Sequence, residues 1–271
     1  MEMSHREPNR RESGVTRLLP ETWRGLTLLL AGMLLVYYLL PIGALVLAQS
    51  PASLADDVTS EVVLTAATNS VVAATLSTLV AVAFGVPLAY WLSRTSFRGR
   101  DVILAMVMLP LVLPPVVSGM LLLKLVGPAG LGQLTSVPLT RSLVGVVLAQ
   151  TYVASPFLVV TAKTAFDGVD RQLEAAARSL GEDRVGSVRR VTLPLAKQGI
   201  LAGVTLTFAR AMGEFGATLM LAYYPRTLPV QIWVSYLSTG LDAAFPVALV
   251  LVGIAVGAIL LVHALGTNPW E

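Results

Sequence analysis

Two ionisable residues, Arg210 and Glu214, lie inside the hydrophobic run 199–222, which is long enough to cross a membrane. Arg210 stands about 16 Å along a helix that starts at Gly199 and rises 1.5 Å per residue, near the middle of a hydrocarbon core about 30 Å thick. The i,i+4 spacing lets the guanidinium and the carboxylate pair on one face. Charged groups at this depth are costly and tend to face a bundle interior or a water-filled path. The pair is predicted either to line or brace a translocation pathway, or to hold helices together without contacting a solute.

A second unusual feature is the proline-rich run LPLVLPPVVSG, residues 109–119, inside another hydrophobic segment. Each proline removes a backbone donor, so the run predicts a kink or a break in the helix. Discontinuous spans often lie at transport pathways, and a merely bent helix is the alternative. Gly216, close to the charged pair, would let two helices approach closely. The candidate pathway or gate residues are Pro110, Pro114, Pro115, Ser118, Arg210, Glu214 and Gly216.

The stretch 173–194, LEAAARSLGEDRVGSVRRVTLP, is the longest strongly polar and charged run in a mostly apolar chain. A small apolar helix face is predicted, because Leu173, Ala176, Ala177 and Leu180 fall at i, i+3, i+4 and i+7. Arg171, Glu174 and Arg178 fall on the other side, and Gly181 follows where a helix commonly ends. A helix lying on the membrane surface is the alternative, but the apolar face is mostly Ala and has no Trp or Phe. A small, smooth face flanked by charge favours docking into a protein groove.

Catalysis by this chain is not predicted. The run 127–134 superficially resembles a phosphate loop, but Gln133 and Leu134 stand where Lys and Ser or Thr should follow the last glycine. There is no cysteine, and the two histidines, His5 and His263, lie near opposite ends. We therefore expect no metal site, no bound cofactor and no nucleic-acid partner.

The elements that would position these residues are membrane helices. Hydrophobic residues make up 55% of the 271 residues and charged residues 13%, whereas soluble domains have about 25% charged residues. Runs of roughly 20 apolar residues can cross the bilayer. Six such spans are predicted, the first broken or bent near Pro41: 23–49, 62–92, 102–126, 142–165, 199–222 and 241–265.

The distribution of Lys and Arg predicts the orientation. Of 19 such residues, five lie in the tail up to Arg24, three in the loop 93–101 and seven in the loop 163–198. The loop 49–61 carries three acidic residues and no basic one. Because cytoplasmic loops carry the excess of positive residues, both termini and the 173–194 stretch are expected in the cytoplasm of a multi-pass cell-membrane protein.

A family resemblance rests on the spacing in this cytoplasmic stretch. Ala176-Ala177, Gly181 after three residues, and Val191-x-Leu193-Pro194 after nine more resemble the EAA loop of ABC importer permeases. In that family the loop forms a coupling helix that fits a groove on the ATPase subunit. The resemblance implies an ATPase-coupling role for Leu173, Glu174, Ala176, Ala177, Leu180, Gly181, Leu193 and Pro194. The motif's acidic position holds Ala175, so Glu174, one place earlier, either takes the acidic role or exposes charge at the helix start.

A finer resemblance concerns the substrate. LPLVLPPVVSG and FARAMGEFGATLM (208–220) are similar to the oxyanion branch of these permeases, and the segments 222–225 and 236–246 look most like molybdate and tungstate permeases. This implies a homodimer in the lipid bilayer, two separate ATPase subunits that hold ATP and Mg, and an external binding protein that delivers the anion. Sulfate or thiosulfate import by the same machine is the alternative, and an ion-coupled secondary transporter is a more distant one.

The predicted architecture is an all-α polytopic protein with six transmembrane helices and the type I ABC importer permease (MetI-like) fold. Residues 1–22 are expected to form a cytoplasmic polar tail and residues 23–49 the first transmembrane helix. Residues 62–265 are expected to form a permease core of five transmembrane helices, with the coupling loop at about 166–198.

Overall fold

The structure, a computed structural model, describes residues 21–47, 50–134 and 136–266, and the regular elements within these ranges are all helical. A single 3-10 turn, Leu131–Leu134, and a single π turn, Val188–Thr192, lie among the described residues. The α-helices are α1 (Glu21–Leu47), α2 (Pro51–Val58), α3 (Glu61–Arg94), α4 (Arg100–Val112), α5 (Pro115–Val126), α6 (Leu143–Asp167), α7 (Arg171–Ser179), α8 (Arg184–Ser187), α9 (Leu193–Met212), α10 (Gly216–Leu221), α11 (Leu228–Thr239) and α12 (Leu241–Gly266).

The chain divides into two compact units between α1 and α2. The first unit contains α1, which covers the predicted first span apart from its last two residues, 48 and 49, which lie outside the described residues. The helix runs through Pro41 without a break. Most of the predicted polar tail, residues 1–20, also lies outside the described ranges.

The centre of the second unit is formed by α3, α6 and α9, which pack against one another. Small side chains let these helices approach closely: the buried face of α3 consists largely of Ala, Ser and Gly, among them Ala74, Ala81 and Gly85. A Cβ atom at Gly85 would lie 3.2 Å from Val159 of α6. One polar contact in this core joins α3 to α6, where the Ser77 hydroxyl donates to Gln150 Oε1 at 3.0 Å.

Six described helical segments are long and apolar enough to cross a membrane, in agreement with the predicted number. They are Gly25–Leu47, Glu61–Arg94, Pro115–Leu134, Leu143–Asp167, Arg184–Met212 and Leu241–Ala258. Two of the predicted spans are not single helices: the prolines of the third allowed a bend or a break, and the fifth was predicted as one helix. The third predicted span is split into α4 and α5, and the fifth is split into α9 and α10.

The connections between spans contain helices that periodicity did not predict. The loop 49–61 contains α2, and the segment that follows α10 contains α11. Helix α11 begins after Thr227 with Pro229 in its first turn, where the missing proline N–H is not needed. Its buried residues Leu228 and Val230 pack toward the core, and the Leu228 N–H donates to the buried Ser70 hydroxyl of α3 at 2.7 Å.

Candidate functional site

Helix α7, the predicted docking helix, has well-formed ends. The Asp170 carboxylate accepts a hydrogen bond from the Gln172 N–H at 2.9 Å and so caps its N-terminus. At the other end Gly181 has φ +98°, and the Glu182 N–H donates back to the Ala177 carbonyl at 3.1 Å. This is the left-handed termination that favours glycine. A Cβ at Gly181 would meet nothing within 4 Å, so the position faces open space.

The two predicted faces of α7 are present, and the apolar one points outward. Leu173 is 47% exposed and Leu180 is 88% exposed, while Ala176 is exposed and Ala177 half-buried. Single exposed leucines are ordinary, but here they flank a strip of alanines on one short helix. The apolar face of α7 is therefore largely exposed and is not packed against the rest of the described structure.

The opposite face of α7 is held to the body of the protein through Glu174, which is only 8% exposed. Its Oε1 lies 2.7 Å from Arg94 Nη2 and accepts hydrogen bonds from Arg94 Nε and Thr192 Oγ1, each at 2.8 Å. The Glu174 carbonyl accepts a hydrogen bond from the Ser187 hydroxyl at 3.2 Å. Glu174 therefore does not expose charge at the start of the helix, because it ties α7 to α3, α8 and the π turn.

Arg94 is in turn fixed by the backbone of the segment that precedes α7. Its Nη1 donates to the Phe166 carbonyl at 2.8 Å and its Nη2 to the Val169 carbonyl at 3.3 Å. The guanidinium thus connects the end of α3 with the last turn of α6 and with the segment between α6 and α7. Sequence reasoning counted Arg94 only as a loop charge, since nothing along the chain relates it to a residue 80 positions away.

Leu193 and Pro194 lie at the beginning of α9, directly after the π turn. The Leu193 N–H donates to the Val188 carbonyl, an i→i−5 bond. A proline inside a continuous α-helix clashes with the carbonyl four residues earlier. The wider π turn accommodates Pro194 here, so the chain passes from α8 into α9 as one helical run.

The break in the third predicted span lies at Leu113 and Pro114, which both have extended backbone angles. Pro115 starts α5 at its first position, and the Ser118 N–H donates to the Pro114 carbonyl at 3.1 Å. Pro110 does not break the chain, because it is buried within the last turn of α4. The prolines allowed either a bent helix or a broken one. The third predicted span is broken.

The break in the fifth predicted span lies between Met212 and Gly216. Arg210 is in the last turn of α9, but Glu214 is beyond the end of that helix, so the prediction that both stand on one continuous helix is wrong. Their pairing is present nevertheless, with Arg210 Nη1 2.7 Å from Glu214 Oε2. Glu214 is 1% exposed and the Arg210 side chain 27%. Glu214 Oε1 also accepts from the Ala217 N–H at 2.8 Å, so this carboxylate joins α9 to α10.

The two breaks meet each other, because α5 and α10 pack in direct contact. A Cβ at Gly216 would lie 2.9 Å from the Val116 nitrogen. A Cβ at Gly119 would lie 2.8 Å from the Ala217 Cα. The backbones therefore approach as closely as glycine allows.

Two buried hydroxyls lie at this crossing without a hydrogen-bond partner among the described residues, Ser118 Oγ and Thr218 Oγ1. Both residues are fully buried. An unpaired buried hydroxyl costs about 1–3 kcal/mol, so a polar partner at either group would be stabilising. Thr218 was not among the sequence candidates.

A further polar group, missed by sequence reasoning, surrounds Arg226 beside the start of α3. Arg226 lines a cavity of about 220 Å³ together with Asn69 and Gln231. Its Nη1 donates to Gln231 Oε1 at 3.4 Å, and the Asn69 amide donates to the Arg226 carbonyl at 3.0 Å. In the sequence, the segment Tyr223-Tyr224-Pro225 before Arg226 could have indicated this group. Tyr223 has φ +58°, and the centroid of its ring lies 5.8 Å from the Arg226 guanidinium.

Six described helices of membrane-spanning length, two helix breaks at prolines or glycines and a short helix with an exposed apolar face are the features of one class, the membrane-embedded permease subunits of ABC importers. The chain belongs to the family described as "Binding-protein-dependent transport system inner membrane component", whose model matches residues 81–267. This family membership confirms the resemblance found in the sequence.

Individual relatives are similar over most of the chain. A "Probable molybdenum ABC transporter permease protein" of Haloferax volcanii is 96% identical over 99% of this chain and 100% of that protein. A "Molybdate/tungstate transport system permease protein" of Thermococcus kodakarensis is 35% identical over 86% of this chain and 92% of its own length. A "Molybdenum transport system permease protein" of Mycobacterium tuberculosis is 42% identical over 74% of this chain and 78% of its own length.

Solved structures have the same fold at low sequence identity. A bacterial ABC transporter involved in the import of alginate superposes with a TM-score of 0.71 and 17% identity, over 93% of this chain and 97% of that one. The MetNI methionine ABC transporter gives a TM-score of 0.58 with 19% identity, over 77% of this chain and 96% of that one. These likenesses confirm the type I importer permease fold.

Proposed function

We propose that this chain is the membrane-spanning subunit of an ATP-driven importer that carries molybdate or tungstate, delivered by an external binding protein. The proposal that import is driven by ATP rests on the two faces of α7. Its outward face is apolar, and its inward face is fixed by the buried Glu174. This arrangement suits a helix that transmits force, because its docking surface cannot move without moving the elements to which Glu174 is tied. The permease works as a homodimer with two ATPase subunits, which bind ATP and Mg.

The path of the force follows from the contacts. Closure of the ATPase pair displaces α7, and Glu174 passes the displacement to Arg94 at the end of α3 and to Thr192 in the π turn. Because α8, the π turn and α9 form one helical run, the movement reaches Arg210 at the far end of α9. There the chain breaks and crosses α5. In this proposal, alternating access results from a change in the packing of α10 against α5.

The proposed substrate rests on the relatives and agrees with the chemistry of the crossing. The names of the relatives from Haloferax and Thermococcus refer to molybdenum or to molybdate and tungstate. Arg210 is neutralised by Glu214, so the crossing holds an anion weakly enough to release it. The donors available there are the Ser118 and Thr218 hydroxyls. Hydroxyl groups can donate to any tetrahedral oxyanion, so sulfate or thiosulfate is the competing substrate.

The proposed orientation places both termini and the coupling loop in the cytoplasm of the cell membrane. It is supported by the excess of Lys and Arg in the tail and in the loops 93–101 and 163–198. This is also the side on which ATP is available to the partner ATPase.

The test is uptake of labelled molybdate by the full complex, reconstituted in vesicles with its ATPase and binding protein, in competition with tungstate and sulfate. Unlabelled tungstate should suppress uptake at concentrations similar to those of molybdate, while sulfate should need at least about a tenfold excess. Uptake should stop when ATP is left out. Equal competition by sulfate would indicate a sulfate importer instead. Uptake that follows an ion gradient without ATP would refute the proposal of an ATP-driven importer.

A further inference from the structure

A cavity of about 560 Å³ lies between the end of α3 and the inner side of α7 and α8. Four arginines line it, together with a single carboxylate, Glu174, and the ring of Tyr90. The arginines are Arg94, Arg171, Arg178 and Arg184. Neither the docking face of α7 nor the crossing of α5 with α10 includes this cavity.

The charges that line the cavity are not balanced. Glu174 is already paired with Arg94 at 2.7 Å, and Arg94 is further committed to backbone carbonyls. Each guanidinium has five N–H donors. Arg171 uses one to the Ser93 carbonyl at 2.8 Å, and Arg178 uses its Nε to the Glu174 carbonyl at 3.3 Å. Three positive charges are left, and several of their donors remain free.

Arg184 is the least committed of the four. No ion pair or hydrogen bond of its side chain occurs within the described ranges, and the neighbouring Asp183 carboxylate is instead occupied in capping the Gly186 N–H. Three like charges around one cavity repel each other, and an anion between them would remove this repulsion. The positive charges around the cavity therefore favour binding of a negatively charged group.

We propose that this cavity, which we call the arginine pocket, binds a tetrahedral oxyanion of the phosphate, sulfate and molybdate class. Guanidinium groups bind such anions through two parallel N–H···O bonds, so arginines suit this ligand better than lysines would. The same chemistry is offered by a free oxyanion and by the phosphate of a lipid headgroup. A ligand held by Arg178 of α7 and Arg184 of α8 would cross-link the two helices of the coupling loop.

This site is distinct from the transport pathway, so it can be tested on the permease alone, without uptake. Purified full-length permease in phospholipid-free detergent is titrated with phosphate, sulfate and molybdate, with chloride at equal ionic strength as the reference. Binding is measured calorimetrically. The test variant is Arg178→Gln/Arg184→Gln. The matched control is Arg98→Gln/Arg189→Gln, which removes the same charge from two exposed arginines outside the pocket.

We expect saturable oxyanion binding that is lost, or weakened at least about tenfold, in the test variant and kept in the control, since two charge-assisted contacts are removed. Trypsin cleavage after Arg184 in the wild-type protein should also slow when the oxyanion is present. Binding that is absent in detergent but appears, with the same dependence on Arg178 and Arg184, in nanodiscs containing phosphatidylglycerol assigns the pocket to a lipid headgroup. If no oxyanion and no anionic lipid binds, or if both double variants lose binding equally, the inference is wrong. The inference would also be wrong if the arginine pocket bound only carboxylate side chains of the ATPase and no oxyanion.

Discussion

Replacing Glu174 by Gln tests whether a buried ion pair holds the coupling helix to the membrane core. The amide keeps the size of the side chain but leaves the Arg94 guanidinium without its counter-charge, 2.7 Å away. Arg94 cannot swing into solvent without giving up the Phe166 carbonyl, to which it donates at 2.8 Å. Both side chains are 11% exposed, so screening by water is slight. Removing one partner of a buried pair costs about 3–5 kcal/mol.

The lower end of that range applies to Glu174→Gln, because the amide oxygen can still accept a hydrogen bond from Thr192 Oγ1. A loss of about 3 kcal/mol corresponds to roughly a 100-fold change in an equilibrium constant. For a protein of this size we expect the melting temperature of the purified permease to fall by about 6–12 °C. Recovery of the ATPase in co-purification should fall with it.

The matched control is Glu182→Gln, since Glu182 pairs with Arg190, whose side chain is 74% exposed. Exposed pairs contribute about 0–1 kcal/mol, so this variant should stay close to the wild type. Arg94→Gln and the double variant Arg94→Gln/Glu174→Gln complete a double-mutant cycle, in which the double variant should be more stable than the sum of the single losses predicts. If Glu174→Gln melts within one or two degrees of Glu182→Gln, the reasoning about the buried pair is refuted.

Three further predictions concern the docking face, the helix crossing and the orientation. Gly181→Arg should abolish co-purification of the ATPase, whereas Gly99→Arg should not, although both glycines have φ +98° and open space for a side chain; equal loss in both would mean that backbone strain, not docking, is responsible. Gly119→Ala should lower stability by about 1–3 kcal/mol, because its Cβ would lie 2.8 Å from the Ala217 Cα, while Gly253→Ala, in open space within α12, should not lower it in the same melting assay. Val185→Cys, in a chain without other cysteines and 71% exposed, should react with an impermeant thiol reagent in inside-out vesicles only, and labelling of right-side-out cells would contradict the orientation.

The number of spans and the two faces of α7 could be predicted from the sequence, because both depend on local periodicity and composition. The run of prolines predicted a bend or a break, and the structure has the break, since the missing N–H groups at Pro114 and Pro115 act on their own helix. The pairing of Arg210 with Glu214 was found for the same reason: the residues are four apart and meet even though the helix ends at Met212.

What the sequence could not provide was contact between distant segments. Glu174 was left as either an acidic contact or a solvent charge, because its partners Arg94 and Thr192 are 80 and 18 positions away. The break after Met212 was missed because Gly213 and Gly216 are tolerated in a membrane helix, and only the packing of Gly216 against Val116 gives them a reason. Helix α11 was missed because its 12 residues are too short for a span.

The alanine-rich face of α3 has an entropic consequence. Ala66, Ala73 and Ala81 are buried at 2% exposure or less, and alanine loses no rotamer freedom on burial. Where helices meet through such residues, there are few side-chain conformers to exchange, so repacking contributes little to deformation there. We therefore expect α3, α6 and α9 to move as rigid bodies during a transport cycle. Bending would be confined to the two joints, at Pro114 between α4 and α5 and at Glu214 between α9 and α10, where one helix has ended and the next has not begun.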